Sequence, residues 1–154
     1  MDIVINASPL ILLSKVDRLH LLNKIYTTVY IPSAVLQEIQ EVGKPTVKLD
    51  QLDFNQLEIS NKIAVLGLLG KLHTGEVEVM IGAIEKGVSK VALDENAARN
   101  KAKQLGLDVV GTLGILLGGH KLGLVDNLEQ EFANLKNAGM YLSDEIIAKI
   151  MASN

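Results

Sequence analysis

The sequence contains no cysteine among its 154 residues. Disulfide bonds, thiolate nucleophiles and cysteine-based zinc sites are therefore excluded. Aromatic residues are also scarce, with no tryptophan, two phenylalanines and three tyrosines. Proteins that hold single-stranded nucleic acid by stacking its bases usually rely on aromatic side chains. The composition thus argues against that mode of binding, and it predicts an aliphatic core.

The sequence also lacks long apolar segments and an excess of basic residues. The longest apolar stretches, at 9–13 and 63–69, are too short to span a bilayer. The N-terminus lacks the basic region that begins a secretory signal, so we expect a cytoplasmic protein with no membrane contact. The net charge is −3 and the isoelectric point is about 5.6. A broad basic surface for duplex nucleic acid is therefore not indicated.

Hydrophobic residues make up 48% of the chain, which predicts one folded domain over residues 1–154. Short apolar segments predict strands at 3–5, 27–31, 57–59, 91–93 and 107–110. Capping residues and helical periodicity predict helices that begin near Ser8, Asp17, Ser33, Asn61, Thr74, Asp94, Thr112, Leu128 and Ser143. We expect the helices from Ser33, Asn61 and Thr112 to end near Val42, Leu72 and Lys121, and Gly87 to end the helix from Thr74. Strands that alternate with helices predict an α/β fold, with a mainly parallel central sheet covered by helices on both faces.

Four polar residues occupy positions that metal-dependent phosphodiester hydrolysis would require. Asn6 and Asp94 each follow a predicted strand, and ligands bind beyond the carboxyl ends of strands in open parallel sheets. Glu38 and Glu76 lie on or beside the apolar faces of two predicted helices, at about 100° per residue. An inward-facing carboxylate is costly unless it is paired, hydrogen-bonded or bound to a metal. By the same geometry, Glu78 falls on the polar side of its helix and is expected to be solvated.

Each of these residues also has an ordinary structural explanation. A glutamate in the first turn of a helix interacts favourably with the helix dipole, which alone would account for Glu76. Asp94 and Glu95 could cap a helix, and Asn6 could form an Asx turn. If the residues act together, their oxygen ligands suit Mg²⁺ or Mn²⁺. The hydroxyl groups of Ser8 and Thr112 would then hold water molecules or ligands.

Three further features carry weaker predictions. Arg99, Lys101 and Lys103 follow Asp94 on a polar helix and could contact phosphates, although a solvated helix face is the more common explanation. The predicted helix around 63–69 is apolar nearly all round, which indicates burial on two sides, either in the core or in a homodimer. The three histidines show no paired ligand spacing and are expected to be surface or hydrogen-bonded residues.

The chain resembles the PIN-domain family of nucleases, and it looks closest to short prokaryotic members related to VapC-type toxins. The resemblance rests on five motifs in order: IVINASPLI at 3–11, IPSAVLQEI at 31–39, GEVE at 75–78, LDE at 93–95 and GTLG at 111–114. It implies a three-layer α/β/α sandwich and a ribonuclease that requires Mg²⁺ or Mn²⁺. It also implies a toxin with an antitoxin partner.

Carried over by motif, the family's acidic positions correspond to Asn6, Glu38, Glu76 and Asp94. Glu38, Glu76 and Asp94 would be metal ligands, and Glu95 would be a substitute or outer group. Asn6 departs from the family pattern, which has aspartate there, and this removes one negative charge from the site. The change predicts weaker metal binding, lower activity, or a protein that binds RNA or a partner without cleaving.

A third hypothesis, a phosphoacceptor domain that uses Asp94 as a switch, would need further acids beside the acceptor. It would also need a lysine after a late strand, and the sequence offers no clear lysine there. Cleavage of RNA in the presence of metal separates the first two hypotheses, and labelling by a phosphodonor tests the third.

Overall fold

A computed structural model describes residues 1–152 of the chain. The strands are β1 (Ile3–Ile5), β2 (Val29–Pro32), β3 (Asn55–Leu57), β4 (Lys90–Ala92) and β5 (Asp108–Val110). The helices are α1 (Ala7–Lys15), α2 (Leu21–Ile25), α3 (Ser33–Ile39), α4 (Lys62–Leu68), α5 (Thr74–Lys86), α6 (Asn96–Gln104), α7 (Thr112–Lys121), α8 (Leu128–Asn137) and α9 (Asp144–Ala152). One turn of 3₁₀ helix covers Leu49–Gln51.

The five strands form one sheet in the order β3-β2-β1-β4-β5, and each neighbouring pair is parallel. The predicted α/β class with a parallel sheet is therefore confirmed. The chain leaves β1 toward one edge of the sheet and later returns to place β4 on the other side of β1. The carboxyl ends of β1 and β4 thus flank the point where the strand order reverses, which is the usual ligand crevice of such sheets.

Helices cover both faces of the sheet in a three-layer α/β/α sandwich. Helix α5 packs against β1, β2 and β4, whereas α7 contacts α1, α2 and α8. The core between the layers is aliphatic, and all three residues of β1 are fully buried. A strand that is buried on both faces consists of a continuous run of apolar residues, as β1 does. No helix within residues 1–152 is long and apolar enough to cross a membrane.

Several predicted boundaries shift for local reasons. Helix α1 begins before Ser8, because extended Asn6 occupies the N-cap position. Helix α2 begins at Leu21 rather than near Asp17, because Asp17 adopts a left-handed backbone with φ of 58°. Strand β3 lies at 55–57 instead of 57–59, because it pairs with β2 from Asn55 onward.

Helices α3 and α4 end three and four residues earlier than predicted, at Ile39 and Leu68. In α4 the cause is an extended backbone at Leu69, with ψ of 164°. Other predicted signals are present as expected. Helix α7 covers the predicted residues, the Asn61 side chain caps α4, and Gly87 ends α5 in the left-handed conformation with φ of 73°.

Candidate active site

The carboxylate of Asp94 is held by three hydrogen-bond donors at the carboxyl end of β4. Its Oδ1 accepts from the backbone N–H of Thr112 at 2.8 Å. Its Oδ2 accepts from the hydroxyl groups of Thr112 at 2.8 Å and Ser8 at 2.9 Å. Hydrogen bonds to an ionised group are stronger than neutral ones, so the carboxylate is fixed in one orientation. The predicted supporting residues Ser8 and Thr112 therefore contact Asp94 directly.

Asn6 and Glu38 approach each other above Gly75, the second residue of α5. A methyl group placed on Gly75 would lie 3.4 Å from Asn6 Oδ1 and 3.5 Å from Glu38 Oε1. Both oxygens thus face the same small volume. The Asn6 side chain is largely buried, and it forms no cap to α1. The Asx-turn explanation for Asn6 is therefore not what the structure shows.

Glu76 follows Gly75 and is buried, with 4% of its surface exposed. Its Oε1 accepts a 2.9 Å hydrogen bond from the backbone N–H of His73, which precedes α5. This is the contact that a glutamate makes in a capping box, so Glu76 has a structural role at the start of α5. Within residues 1–152 no hydrogen bond links Glu76 to Asn6, Glu38 or Asp94.

A cleft of about 580 Å³ opens at this edge of the sheet and brings three acidic residues to one surface. Its lining includes Glu38, Asp94, Glu95 and Ser8. In the part of the chain that the structure describes, no group of three or more His, Asp or Glu side chains is placed to hold a metal ion. The predicted ligands Glu38, Glu76 and Asp94 are therefore not already gathered as a three-carboxylate site. An ion bound here would take part of its coordination from water, as Mg²⁺ commonly does.

Of the three basic residues predicted on this helix, Arg99 and Lys103 are placed differently. Arg99 Nη1 donates to the carbonyl oxygen of Leu93 at 2.9 Å. A methyl group on Gly111 would lie 2.8 Å from Arg99 Nη1 and 3.0 Å from Asp94 Oδ1, so the guanidinium lies beside the Asp94 carboxylate. Lys103 is exposed, one turn further along α6. Of the two, the structure brings Arg99 to the site and leaves Lys103 on a solvated surface.

The prediction that Glu78 is solvated is wrong. Its side chain is buried, and Oε1 accepts a 3.0 Å hydrogen bond from the backbone N–H of Ala34 in the first turn of α3. The physical reason is that α5 is covered on nearly all sides by the sheet, α3, α4 and α6. Every residue from Gly75 to Ala83 is buried. A helical wheel assumes one solvated face, which this helix lacks over that stretch.

The apolar helix α4 is less covered than its composition indicated. Val65 is its single buried residue, whereas Ile63 and Leu66 are mostly exposed. Burial on two sides within the chain is therefore not observed. His120, by contrast, has the expected hydrogen-bonded environment, with its Nδ1 2.7 Å from the carbonyl oxygen of Val125.

Sequence reasoning missed two residues that line the cleft, Lys15 and Tyr141. Lys15 ends α1, and its Nζ donates to the carbonyl oxygen of Ala138 at 3.1 Å. Tyr141 lies in the loop that joins α8 to α9. No local pattern marks either residue, because their position depends on the packing of the α8–α9 loop against α1.

A family model, DUF3368, described as a PIN domain, matches residues 2–154. No curated protein and no solved structure matches the chain.

Proposed function

Because the chain belongs to the PIN-domain family, whose fold is of the nuclease type, we propose that it is a divalent-metal-dependent endoribonuclease. The observation that supports this most directly is the fixed carboxylate of Asp94. It lies at the sheet's reversal point and shares a cleft with Glu38. An oriented carboxylate beside a second acidic residue in a cleft is the kind of anionic site that metal-assisted phosphodiester hydrolysis uses.

The donor set fits a hard divalent ion. Glu38, Glu76 and Asp94 would be the metal ligands, and Asn6 would contribute its neutral Oδ1. Carboxylate and carbonyl oxygens are the ligands that Mg²⁺ and Mn²⁺ prefer. A bound ion would supply an activated water molecule and neutralise charge on the scissile phosphate.

The surrounding residues would orient the ligands and the substrate. Ser8 and Thr112 hold Asp94 in place through their hydroxyl groups. The Arg99 guanidinium lies beside Asp94, and one of its N–H groups donates to Leu93. Its other donors can contact a phosphate, since arginine presents five N–H groups. Glu95 is exposed at the rim and would contact outer water molecules.

The experiment that tests this proposal is cleavage of a mixed RNA panel with Mn²⁺, Mg²⁺ or EDTA. The native protein is compared with Asp94→Asn, Glu38→Gln and Glu76→Gln. Metal-dependent cleavage that each substitution reduces would support the proposed ligands. Glutamine retains the capping acceptor of Glu76, so lost cleavage in a stable Glu76→Gln protein would indicate a ligand role beyond capping.

The matched control is Asp108→Asn, at the opposite, amino end of β5. The mostly exposed Asp108 pairs with the largely buried Lys90 at 2.6 Å, and asparagine keeps an oxygen to which Lys90 can donate. The substitution should leave cleavage unchanged. Cleavage that persists in EDTA, or that Asp94→Asn does not reduce, would contradict the proposal.

A second candidate function is binding of RNA or a protein partner without cleavage. Two observations favour it: Asn6 is uncharged where the family has aspartate, and residues 1–152 contain no preassembled group of three metal-ligating side chains. Asn6→Asp restores the charge. If the native protein binds RNA without cutting it and Asn6→Asp cuts it, the chain is a weakened nuclease whose present role is binding.

We also propose that the protein is the toxin of a toxin–antitoxin pair and that it forms a homodimer in the cytoplasm. The family resemblance supports the first, and the exposed apolar side chains of Ile63 and Leu66 on α4 support the second. Induced expression should arrest growth unless a neighbouring small gene is co-expressed. Sedimentation of the native protein against a variant with Ile63→Glu and Leu66→Glu tests the dimer.

A further inference from the structure

Two cavities flank Asp94, and Tyr141 lines both of them. The first is the acidic cleft, which also contains Lys15. The second, of about 610 Å³, includes Asp94 and Arg99 at one side and apolar residues of α7 and α9 elsewhere. Tyr141 therefore lies at the boundary between the acidic cleft and a pocket with an apolar wall.

Tyr141 is highly exposed, at 87%. Its loop is nevertheless anchored on both sides. Gly139 turns the chain with φ of 106°, and the neighbouring Leu142 is buried in the core. The loop thus presents an aromatic ring to solvent directly beside the site, whereas Tyr26 is buried.

Basic groups lie on both sides of this ring. Lys15 lines the acidic cleft, and its ammonium group is placed by the hydrogen bond to Ala138. Arg99 lines the second cavity. A ligand that crosses from one cavity to the other would meet a cation, an aromatic face and a second cation. A nucleic acid strand, with its anionic backbone and flat aromatic bases, matches this series of groups.

We propose that Tyr141 is the residue on which a nucleobase of the substrate stacks, with Lys15 contacting the phosphate backbone in the cleft. This inference rests on the proposed function, because it assumes that nucleic acid enters the cleft. The low aromatic content argued against binding of nucleic acid by base stacking. The inference modifies that prediction, because one well-placed tyrosine is enough to stack one base. Tyr141 acts as a positioning residue that fixes which nucleotide lies beside Asp94.

The test is equilibrium binding of short fluorescein-labelled oligoribonucleotides in EDTA, where metal-dependent cleavage does not occur. Tyr141→Ala should weaken binding about fivefold or more, as expected for the loss of one stacked base. Tyr141→Phe keeps the ring and should bind within about twofold of the native protein. Lys15→Ala should weaken binding and reduce its salt dependence. Leu122→Ala, an exposed apolar residue at the far end of α7, is the matched control and should have no effect.

Tyrosine fluorescence gives a second, independent readout. The chain has no tryptophan, and Tyr141 is the most exposed of its three tyrosines. Bound RNA should quench the emission of the native protein, and this quenching should be lost in Tyr141→Phe although affinity is retained. Such a result cannot arise from a purely structural role of the loop.

Three outcomes would overturn the inference. If the native protein cleaves or binds RNA and Tyr141→Ala behaves alike, stacking fails while the nuclease proposal stands. If Tyr141→Phe is as weak as Tyr141→Ala, the hydroxyl group rather than the ring face makes the contact. If neither the native protein nor Asn6→Asp binds RNA in EDTA or cleaves it with Mg²⁺ or Mn²⁺, both proposals fail, and the surface would then belong to a protein partner.

Discussion

The hydroxyl group of Ser8 donates a 2.9 Å hydrogen bond to Oδ2 of Asp94, across 86 positions of sequence. Ser8 lies in the first turn of α1, and Asp94 follows β4. The same carboxylate accepts two hydrogen bonds from Thr112, the first residue of α7. Asp94 thus links three segments of the chain at the point where the strand order reverses. A change in the orientation of its carboxylate would therefore indicate a change in the placement of these segments.

Replacing Ser8 by alanine should reduce metal-dependent cleavage about 10–100-fold, as expected when an outer partner of a metal ligand is lost. Thr112 would still hold Asp94, so the free energy of unfolding should fall by only about 1 kcal/mol. Cleavage rates and urea denaturation measure the two effects. Ser33→Ala, which removes a hydroxyl group bonded to Leu57 and Glu58 instead, is the control. Equal cleavage by both variants would show that Ser8 does not support the site.

Replacing Gly75 by alanine tests where the metal binds without changing any charge. The added methyl group would make ordinary contacts of 3.4–3.5 Å with Asn6 Oδ1 and Glu38 Oε1, in the volume that both oxygens face. The fold should tolerate it, and alanine in a helix is more stable than glycine by about 0.5–1 kcal/mol. We expect weaker Mn²⁺ binding in a titration followed by electron paramagnetic resonance. Native affinity in a folded Gly75→Ala protein would place the ion elsewhere.

Replacing Gly111 by alanine should displace the Arg99 guanidinium. The new methyl group would lie only 2.8 Å from Arg99 Nη1 and 3.0 Å from Asp94 Oδ1, so one of these side chains must move. Arginine is the more flexible, and its bond to the Leu93 carbonyl oxygen would break at a cost of about 1 kcal/mol. RNA binding and cleavage should both fall. Gly67→Ala is the control, because nothing lies within 4 Å of its added methyl group and helical alanine should stabilise α4.

The hydrogen bonds of Glu85 predict that the free energy of unfolding depends on pH. The backbone N–H groups of Ser60 and Asn61 donate to its carboxylate and hold the pKa of Glu85 below its usual value of 4.5. The resulting stabilisation is fully present above pH 4.5 and is lost as the pH falls through the lower pKa of the folded state. Glu85→Gln should therefore be less stable than the native protein at neutral pH, and the difference should shrink below pH 4.5.

Urea denaturation at several pH values measures that difference. Glu41→Gln is the matched control, since the Glu41 side chain is exposed and forms no hydrogen bond within residues 1–152. A gap between Glu85→Gln and the native protein that stays constant with pH would show that the two N–H donors do not stabilise the charged form.

Much of the architecture was determined by the sequence alone. Buried β-branched runs, capping residues and glycine stops are local signals, because a strand or helix end depends on residues a few positions apart. The parallel sheet and the extent of α7 followed from them. The strand-end positions of Asn6 and Asp94 also followed, since parallel strands bring their carboxyl ends to one edge.

Tertiary structure alone decided which polar groups meet. The sequence placed Glu76 and Glu78 on opposite sides of one helix, but packing buried both and gave each a backbone donor. It marked neither Lys15 nor Tyr141, which reach the cleft through the α8–α9 loop. The physical reason is that hydrophobic periodicity predicts only which face of a single helix meets solvent. A contact between residues far apart in the sequence is determined only when the layers pack against each other.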